Sequence, residues 1–260
     1  MTTGDGSVEK PGRPRQSGPQ AELLAVYRRR KAEGAAVTSV KPVASVLSRL
    51  RRLAWMISVT RRLPWEHIEL SRSAQGDAID RLLRHRSIRL VPTNRRVRFG
   101  YCVLEIPPTS EEYLRGHDRR RLRKRLSRVQ RRDLTIQPLD DVQRAAVERS
   151  LLDDVEALRI ETRPIAQLWL GAFVDSPVPV ALVIVLLDGD VAMLHTSQGD
   201  LRGRDIDLRY ALHTKLVEYL IDNRIRVMVT DSQNCFRTPP MLLQYQYHLG
   251  YVVRNLHWRH

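Results

Sequence analysis

The densest group of side chains that could bind an anion is the run HDRRRLRKRLSRVQRR, which places nine Lys and Arg residues within Arg119–Arg132. Leu122, Leu126 and Val129 recur in it at positions i, i+4 and i+7, which predicts a helix with one narrow apolar stripe. Its cations could bind a nucleic-acid backbone, or an anionic substrate or membrane headgroup. The alternative is a solvated helix whose stripe packs on the core, which is the commoner role of a charged run.

Side chains that recognise bases are scarce in this run. Nucleic-acid-binding surfaces usually interleave aromatic residues or place Asn and Gln against bases. Here Gln130 is the one residue of that kind. The composition therefore weakens the nucleic-acid interpretation and leaves it open.

Signatures of several other chemistries are missing from the sequence. It contains no Gly-x-Ser-x-Gly, P-loop or HExxH motif. Ser197, His195 and Asp231 make a poor triad, because adjacent strand positions face opposite sides and i, i+2 pairs rarely align for proton transfer. The run His257–His260 is only a weak metal signal, so we expect no metal cofactor.

Composition indicates a folded protein in a reducing compartment. The 260 residues are 42% hydrophobic and carry a formal charge of +15, which argues against disorder of the whole chain. The longest apolar run, Val178–Leu187, is about half of a membrane span, and residues 1–20 lack the apolar region of a signal peptide. Cys102 and Cys235 show neither disulfide-framework nor zinc-ligand spacing. The expected location is the cytoplasm, with peripheral contact at the inner membrane surface left open.

The positive charge is concentrated in the front half of the chain. Residues 1–133 hold 31 basic and 13 acidic side chains, whereas residues 134–260 hold 13 and 16. A step of this size suggests a basic portion that meets an anionic partner, attached to a near-neutral domain. We accordingly divide the chain into a disordered tail (1–20), a basic and mainly helical N-terminal segment (21–108) and a C-terminal domain (109–260).

Periodicity and breakers predict the elements that position these residues. Thr109 and Glu112 form a capping box that opens the basic helix, within which Gly116 is a possible break. Asp188-Gly189 is a two-residue hairpin signal between two strands. The predicted helices are Ala21–Glu33, Val43–Ile57, Asp77–Arg86, Thr109–Arg132, Asp140–Leu158, Ile206–Asn223 and Met241–His248. The predicted strands are His67–Leu70, Arg98–Ile106, Leu134–Leu139, Gln167–Val174, Val180–Leu187, Val191–Ser197, Ile225–Thr230 and Tyr251–Leu256.

The order of these elements resembles the GNAT acyltransferase superfamily over about Thr109–Arg259, and within it the FemAB-like branch. Four stretches carry the resemblance: HDRRRLRKRLSRVQRRDLTIQPL, WLGAFVDSPVPVALVIVLLDGDVAMLHTSQG, LRGRDIDLRYALHTKLVEYLIDNRIRVMVTD and YQYHLGYVVRNLHWR. The resemblance implies an α+β fold with a mixed, mostly antiparallel, twisted sheet flanked by helices.

The third stretch resembles the loop and helix that bind acyl-CoA in that superfamily. There the backbone N–H groups of the loop turn towards a pyrophosphate at the helix N-terminus, where the helix dipole favours an anion. The resemblance assigns donor binding here to the preceding strand end and to this loop: Thr196, Ser197, Arg202, Gly203, Arg204 and Ile206. Asp205 and Asp207 stand where glycines are usual, and they would repel a diphosphate unless they point away and cap the helix.

The same resemblance implies candidates for proton transfer. The superfamily splays the strands that match Val191–Ser197 and Ile225–Asp231, and the acyl arm inserts between them. Asp231 is then the first candidate for the base and His195 the second, because imidazole titrates in the right range. Tyr247 could protonate the leaving thiolate. For each residue a purely structural role is an equal alternative.

The sequence therefore predicts an N-acyltransferase that passes an acyl group, acetyl from acetyl-CoA in the first instance, to an amine. The acceptor would be a small molecule or a cell-envelope component. Two alternatives stay open: a FemAB-like transferase that uses aminoacyl-tRNA, for which the basic helix at Arg119–Arg132 would suit, and a non-catalytic binding module. That helix could equally meet an anionic membrane surface.

Overall fold

The structure is a computed structural model that describes part of the chain. The described residues are 25, 46–85, 88–90, 95–97, 100–115, 119–130, 134–150, 167–175, 178–198, 206–230 and 240–260. All of them except residue 25 belong to one compact unit, Val43–His260. The predicted tail at 1–20 and nearly all of the predicted helix Ala21–Glu33 lie outside the described residues.

Eight strands form one mixed sheet in the order β1-β10-β4-β9-β8-β7-β6-β5, and β2 and β3 form a separate small hairpin. Two neighbouring pairs are parallel, β1 with β10 and β8 with β9, and the other pairs are antiparallel. With helices against the sheet, this confirms the predicted α+β class. The strands are β1 Trp65–Glu69, β2 Ile88–Leu90, β3 Arg95–Val97, β4 Tyr101–Glu105, β5 Thr135–Pro138, β6 Gln167–Phe173, β7 Ala181–Asp188, β8 Val191–Gln198, β9 Val227–Thr230 and β10 Val252–Arg259.

Seven helices are described around this sheet. Among the described residues, none is long and apolar enough to cross a membrane. They are α1 Val46–Arg61, α2 Ala74–His85, α3 Ser110–Leu114, α4 Arg120–Val129, α5 Asp141–Ser150, α6 Ile206–Asp222 and α7 Pro240–Leu249.

The sheet has a hydrophobic core on each face. Strand β8 shows the alternation expected of a strand buried on both sides: Ala192 and Leu194 pack on the side of α4, α6 and α7, whereas Val191 and Met193 pack on the side of α2. Strand β7 is buried along nearly all of its length. That burial accounts for the almost unbroken apolar run in its sequence.

The sheet joins the two sides of the predicted boundary at residue 108. Strand β4 lies between β9 and β10, and β1 pairs with β10 at one edge. Both β1 and β4 come from the predicted N-terminal segment, residues 21–108. The boundary therefore falls inside a single sheet, because hydrogen bonding between strands does not follow the distribution of charge.

The predicted helix Thr109–Arg132 is described as two helices, α3 and α4, on either side of residues 116–118, which lie outside the described residues. Thr109 caps α3 as predicted, since its side chain accepts a hydrogen bond from Glu112 N at 3.2 Å. Helix α4 then buries Leu122 and Val129, with Leu126 partly buried against the same core. The predicted apolar stripe is thus the face by which α4 is seated on the domain.

Two local features differ from the sequence-based expectation. The short hairpin of β2 and β3, paired from Ile88↔Val97 to Leu90↔Arg95, is not predicted, because three-residue strands leave little alternation to detect. The turn between β7 and β8 is Gly189-Asp190, one residue later than expected, since Asp188 itself pairs with Val191. Gly189 takes a positive φ of 56° in that turn, where glycine has no steric penalty.

Candidate functional site

The parallel strands β8 and β9 pair from Val191↔Val227 to Leu194↔Thr230, and β8 continues beyond these pairs to Gln198. The residues that follow Thr230 lie outside the described residues. The last residues of β8 therefore lie at the edge of the sheet where the described part of β9 ends. The resemblance places the acyl arm at this edge.

His195 lies at this edge of the sheet, on an irregularity of β8. Ile184 of β7 pairs with Thr196, whereas the next residue, Val185, pairs with Leu194. His195 is therefore the extra residue of a β-bulge, a feature that bends a strand and changes the direction of its side chains. His195 is partly buried. The second candidate base thus follows Leu194, the last residue of β8 that pairs with the described part of β9.

Arg209 joins the end of β8 to helices α6 and α7. Its Nη2 donates to Ser197 O at 3.0 Å, and its guanidinium lies 4.8 Å from the ring centroid of Tyr245. In return, Tyr245 Oη donates to Arg209 O at 3.1 Å. Arg209 and Tyr245 therefore hold the end of β8, the first turns of α6 and the middle of α7 together.

Tyr245 is a buried phenol at that point. Burial raises the pKa of its hydroxyl, and this outweighs the nearby Arg209 guanidinium and the hydrogen bonds with Ser197 and Arg209, which lower it. The hydroxyl is therefore protonated at neutral pH. A protonated phenol beside a cation can donate a hydrogen bond or a proton to a developing anion.

A tyrosine–tyrosine contact and an arginine–tyrosine contact continue from this point towards helix α4. Tyr245 packs edge to face on Tyr210, with ring centroids 4.9 Å apart, and the Arg125 guanidinium lies 5.0 Å from the Tyr210 centroid. Cation–π contacts of this kind favour a guanidinium over an aromatic face. They bring a cation of α4 onto the same side of α6 as Arg209.

Asp207, in the first turn of α6, is held by the basic helix. Its side chain is buried; one carboxylate oxygen accepts from Arg125 Nη1, and the other lies 3.7 Å from Arg128 Nη1. An acidic residue in this turn also suits the helix dipole. The negative charge of Asp207, which the sequence predicted to repel a donor diphosphate, is thus compensated by these two arginines. Asp205 lies outside the described residues.

A buried polar chain lies under α6. Tyr113 Oη is 3.3 Å from His213 Nδ1 and donates to Leu249 O at 3.1 Å, while His213 Nε2 is 3.0 Å from Tyr251 Oη. Burial lowers the pKa of His213 to about 3, and the nearby Arg119 and Arg209 act in the same direction. The imidazole is therefore neutral, and it ties α3 and α6 to the start of β10.

Four of the predicted site residues cannot be located relative to this cluster. Arg202, Gly203, Arg204 and Asp231 lie outside the described residues. The backbone positions of Thr196 and Ile206 are described, and they lie at the end of β8 and the start of α6 as expected. Of the predicted site residues, Ser197 contacts the cluster: its backbone carbonyl accepts from Arg209 Nη2, and a hydrogen bond joins it to Tyr245.

Tyr247, the predicted proton donor, lies on α7 two residues after Tyr245. It is partly buried, and its ring centroid is 5.8 Å from that of His248. Tyr245 is the tyrosine that contacts Ser197, and sequence reasoning missed it because the spacing to Gly250 drew attention to Tyr247. The Tyr-x-Tyr pattern was the available signal.

Arg209 and Arg125 were also missed as members of the cluster. Arg209 follows Ile206 by three residues and so lies on the same face of α6 as Ile206. This spacing could have identified Arg209 as a candidate site residue. Nothing in the sequence distinguishes Arg125 from the other cations of Arg119–Arg132.

Among the described residues, no group of three His, Cys, Asp or Glu side chains could hold a metal ion.

Sequence comparison finds no matching protein family and no matching curated protein. Structural comparison finds similar chains at low identity. They include the C-terminal domain of a protein assigned as a lysylphosphatidylglycerol synthetase from Agrobacterium fabrum, 10% identical over 60% of this chain and 58% of that one with a TM-score of 0.42. L-PGS from Bacillus licheniformis is 11% identical over 60% and 57%, with a TM-score of 0.44. A GCN5-related N-acetyltransferase from Kribbella flavida is 13% identical over 60% and 54%, with a TM-score of 0.34. This chain spans less than two thirds of the length of each.

Proposed function

We propose that this protein is a GNAT-like N-acyltransferase that transfers an acyl group to an amine, with acetyl-CoA as the first donor to test. The observation that carries the proposal is the convergence of Arg209 and Tyr245 on Ser197, at the end of β8 and beside the first turns of α6. This brings together a strand end, a helix N-terminus and a protonated phenol.

The donor phosphates would bind at the start of α6. Helix N-termini favour anions through their free N–H groups and dipole, and Arg202, Gly203 and Arg204 would complete the loop. Asp207 does not oppose this arrangement, because Arg125 and Arg128 surround its carboxylate. The two arginines and one aspartate leave a local excess of positive charge.

The reaction would be a direct transfer. The amine nitrogen attacks the thioester carbonyl carbon, a C–N bond forms, and the C–S bond breaks to release the CoA thiolate. Asp231 or His195 would accept the proton lost by the amine, and Tyr247 or Tyr245 would protonate the thiolate. Tyr245 is favoured for the second role by its contact with Ser197 and its protonated state at neutral pH.

Calorimetry of the full chain with acetyl-CoA tests the donor. We expect binding by the wild type and its loss in the double variant Arg202→Ala, Arg204→Ala. A matched control, Arg72→Ala with Arg224→Ala, removes the same charge at two exposed positions and should bind normally. Failure of the wild type to bind, or an equal loss in the control, would contradict the proposal.

The FemAB-like alternative, with an aminoacyl-tRNA donor, is supported by charge alone. Six of the ten residues of α4 are Arg or Lys, and such a helix can neutralise phosphates. Salt-sensitive binding of tRNA without binding of CoA would favour this donor. Binding of neither would favour the non-catalytic module. The acceptor, a small molecule or a cell-envelope amine, follows only from a screen of amines with the identified donor.

A further inference from the structure

Helix α4 has one face committed to the domain and one face directed to solvent. Leu122 and Val129 are buried, and Arg125 is engaged by Asp207. The remaining cations are exposed. We call them the α4 cationic face: Arg120, Arg121, Arg123, Lys124 and Arg128.

Little on the described structure neutralises this face. Helix α4 contains no acidic residue, and within the described residues no ion pair joins Arg120, Arg121 or Lys124 to a carboxylate. Arg121 Nη1 instead lies 2.8 Å from His248 Nε2. Asp207, the carboxylate that pairs with α4 in the described part of the chain, is buried beneath the helix and faces Arg125 and Arg128.

The cations lie within a short distance of one another. A helix of this length measures about 15 Å, and the Debye length at physiological salt is about 8 Å, so neighbouring charges on the face act together. The buried stripe and the Arg125–Asp207 ion pair hold the helix in place. The face is therefore a preorganised positive surface rather than a mobile basic tail.

We propose that the α4 cationic face docks the protein on a membrane surface rich in anionic phospholipid. Such a surface requires only charge complementarity, which the face supplies. An RNA partner is less well matched, because the face offers no aromatic platform for stacking, and Gln130 at the end of α4 is the one amide side chain beside it for base recognition. Because Asp207 joins α4 to the first turn of α6, docking would hold the candidate site beside the lipid headgroups. The inference does not depend on the identity of the donor.

Vesicle co-sedimentation of the full chain tests the docking surface. The probes are vesicles of phosphatidylcholine alone and of equal parts phosphatidylcholine and phosphatidylglycerol. We expect binding to the anionic vesicles only, weakened by added salt. The triple variant Arg120→Gln, Arg121→Gln, Lys124→Gln should lower the partition coefficient by roughly 100-fold, because each basic residue contributes about a factor of five or more.

A charge-matched control distinguishes the face from the net charge of the protein. The triple variant Arg61→Gln, Arg72→Gln, Arg81→Gln removes three exposed cations elsewhere and should retain most of the vesicle binding. Circular dichroism of both variants checks that the fold is kept. An equal loss in both variants, no binding of the wild type to anionic vesicles, or displacement of bound protein from vesicles by sub-stoichiometric RNA would each overturn the proposal.

Discussion

His213 is a neutral histidine fixed between two tyrosines. Because Tyr113 donates its hydroxyl proton to Leu249 O, the same oxygen accepts from His213 Nδ1, and Nε2 then accepts from Tyr251. Protonation of Nε2 would place two donors against each other in a buried site. This one residue therefore couples the integrity of the domain to pH.

The predicted consequence is a loss of stability in acid. The folded-state pKa of His213 is about 3, below its ordinary value of 6.5, so the unfolded chain takes up the proton first. The stabilisation is present above pH 6.5 and decreases as the pH falls from there towards 3, with a slope approaching 1.4 kcal/mol per pH unit. Urea unfolding at a series of pH values measures it. The variant His213→Gln should lack this part of the slope, and an unchanged slope would contradict the assignment.

Asp207 is predicted to hold α4 rather than to disturb the donor site. The substitution Asp207→Asn removes the charge that binds Arg125 and Arg128, and we expect it to cost about 1 to 2 kcal/mol of unfolding free energy. Amide exchange within α4 should become about tenfold faster. Asp222→Asn, at the exposed far end of the same helix, is the control and should leave exchange in α4 unchanged. Equal exchange in the two variants would show that the ion pair does not anchor the helix.

Site residues differed in how far the sequence could identify them. Ser197 follows from strand order and resemblance, because it lies at a predicted strand end. Arg209 and Tyr245 become site residues only when α6 and α7 are placed against β8, and no single-sequence pattern fixes that packing. The β-bulge at His195 is similarly hidden, since the first four residues of β8 are all apolar and the last four all polar, so no alternation marks the register.

At the scale of elements, strongly periodic segments were predicted closely. The predicted helix Ile206–Asn223 and strand Val180–Leu187 match α6 and β7 within one residue, because each buries an extended apolar surface. The parallel pairing of β1 with β10 was not predicted. The pairing joins residues that are far apart in sequence, and local periodicity carries no information about such pairings.

The Glu66 side chain links β1 to Arg254 of β10 and to Arg226, which directly precedes β9. Its buried carboxylate accepts from Arg226 Nη1 and Arg254 Nη1, both at 2.7 Å. We expect Glu66→Gln to cost about 2 kcal/mol, less than for a fully buried pair because the guanidinium groups remain partly exposed.

Its matched control lies on the same strand. Glu69 pairs with Arg259 at 2.6 Å, and both side chains are more than 70% exposed, so Glu69→Gln should change stability by no more than about 0.5 kcal/mol. Denaturant unfolding of the two variants gives the comparison. Similar costs would show that burial of the Glu66 network does not stabilise the sheet edge.

At the scale of the whole molecule, charge pattern and fold divide the chain differently. The sequence-based division placed residues 1–108 apart from residues 109–260, yet β4 lies inside the sheet between β9 and β10. We predict that residues 43–260 unfold in one cooperative thermal transition and that residues 109–260 do not. Circular dichroism and calorimetry of the two fragments measure this, and a sharp transition in the shorter one would refute it.

The pairing of β1 with β10 also affects how the protein folds during its synthesis. Glu69 and Arg259, which pair across these strands, are 190 residues apart. At translation speeds of roughly 5 to 20 residues per second, β1 spends about 10 to 40 s on the ribosome before its partner is synthesised. During that interval the nascent chain carries an unpaired edge with Trp65 and Ile68 available to other chains. Its yield in cells should therefore depend on chaperones that bind early segments more than its equilibrium stability would suggest.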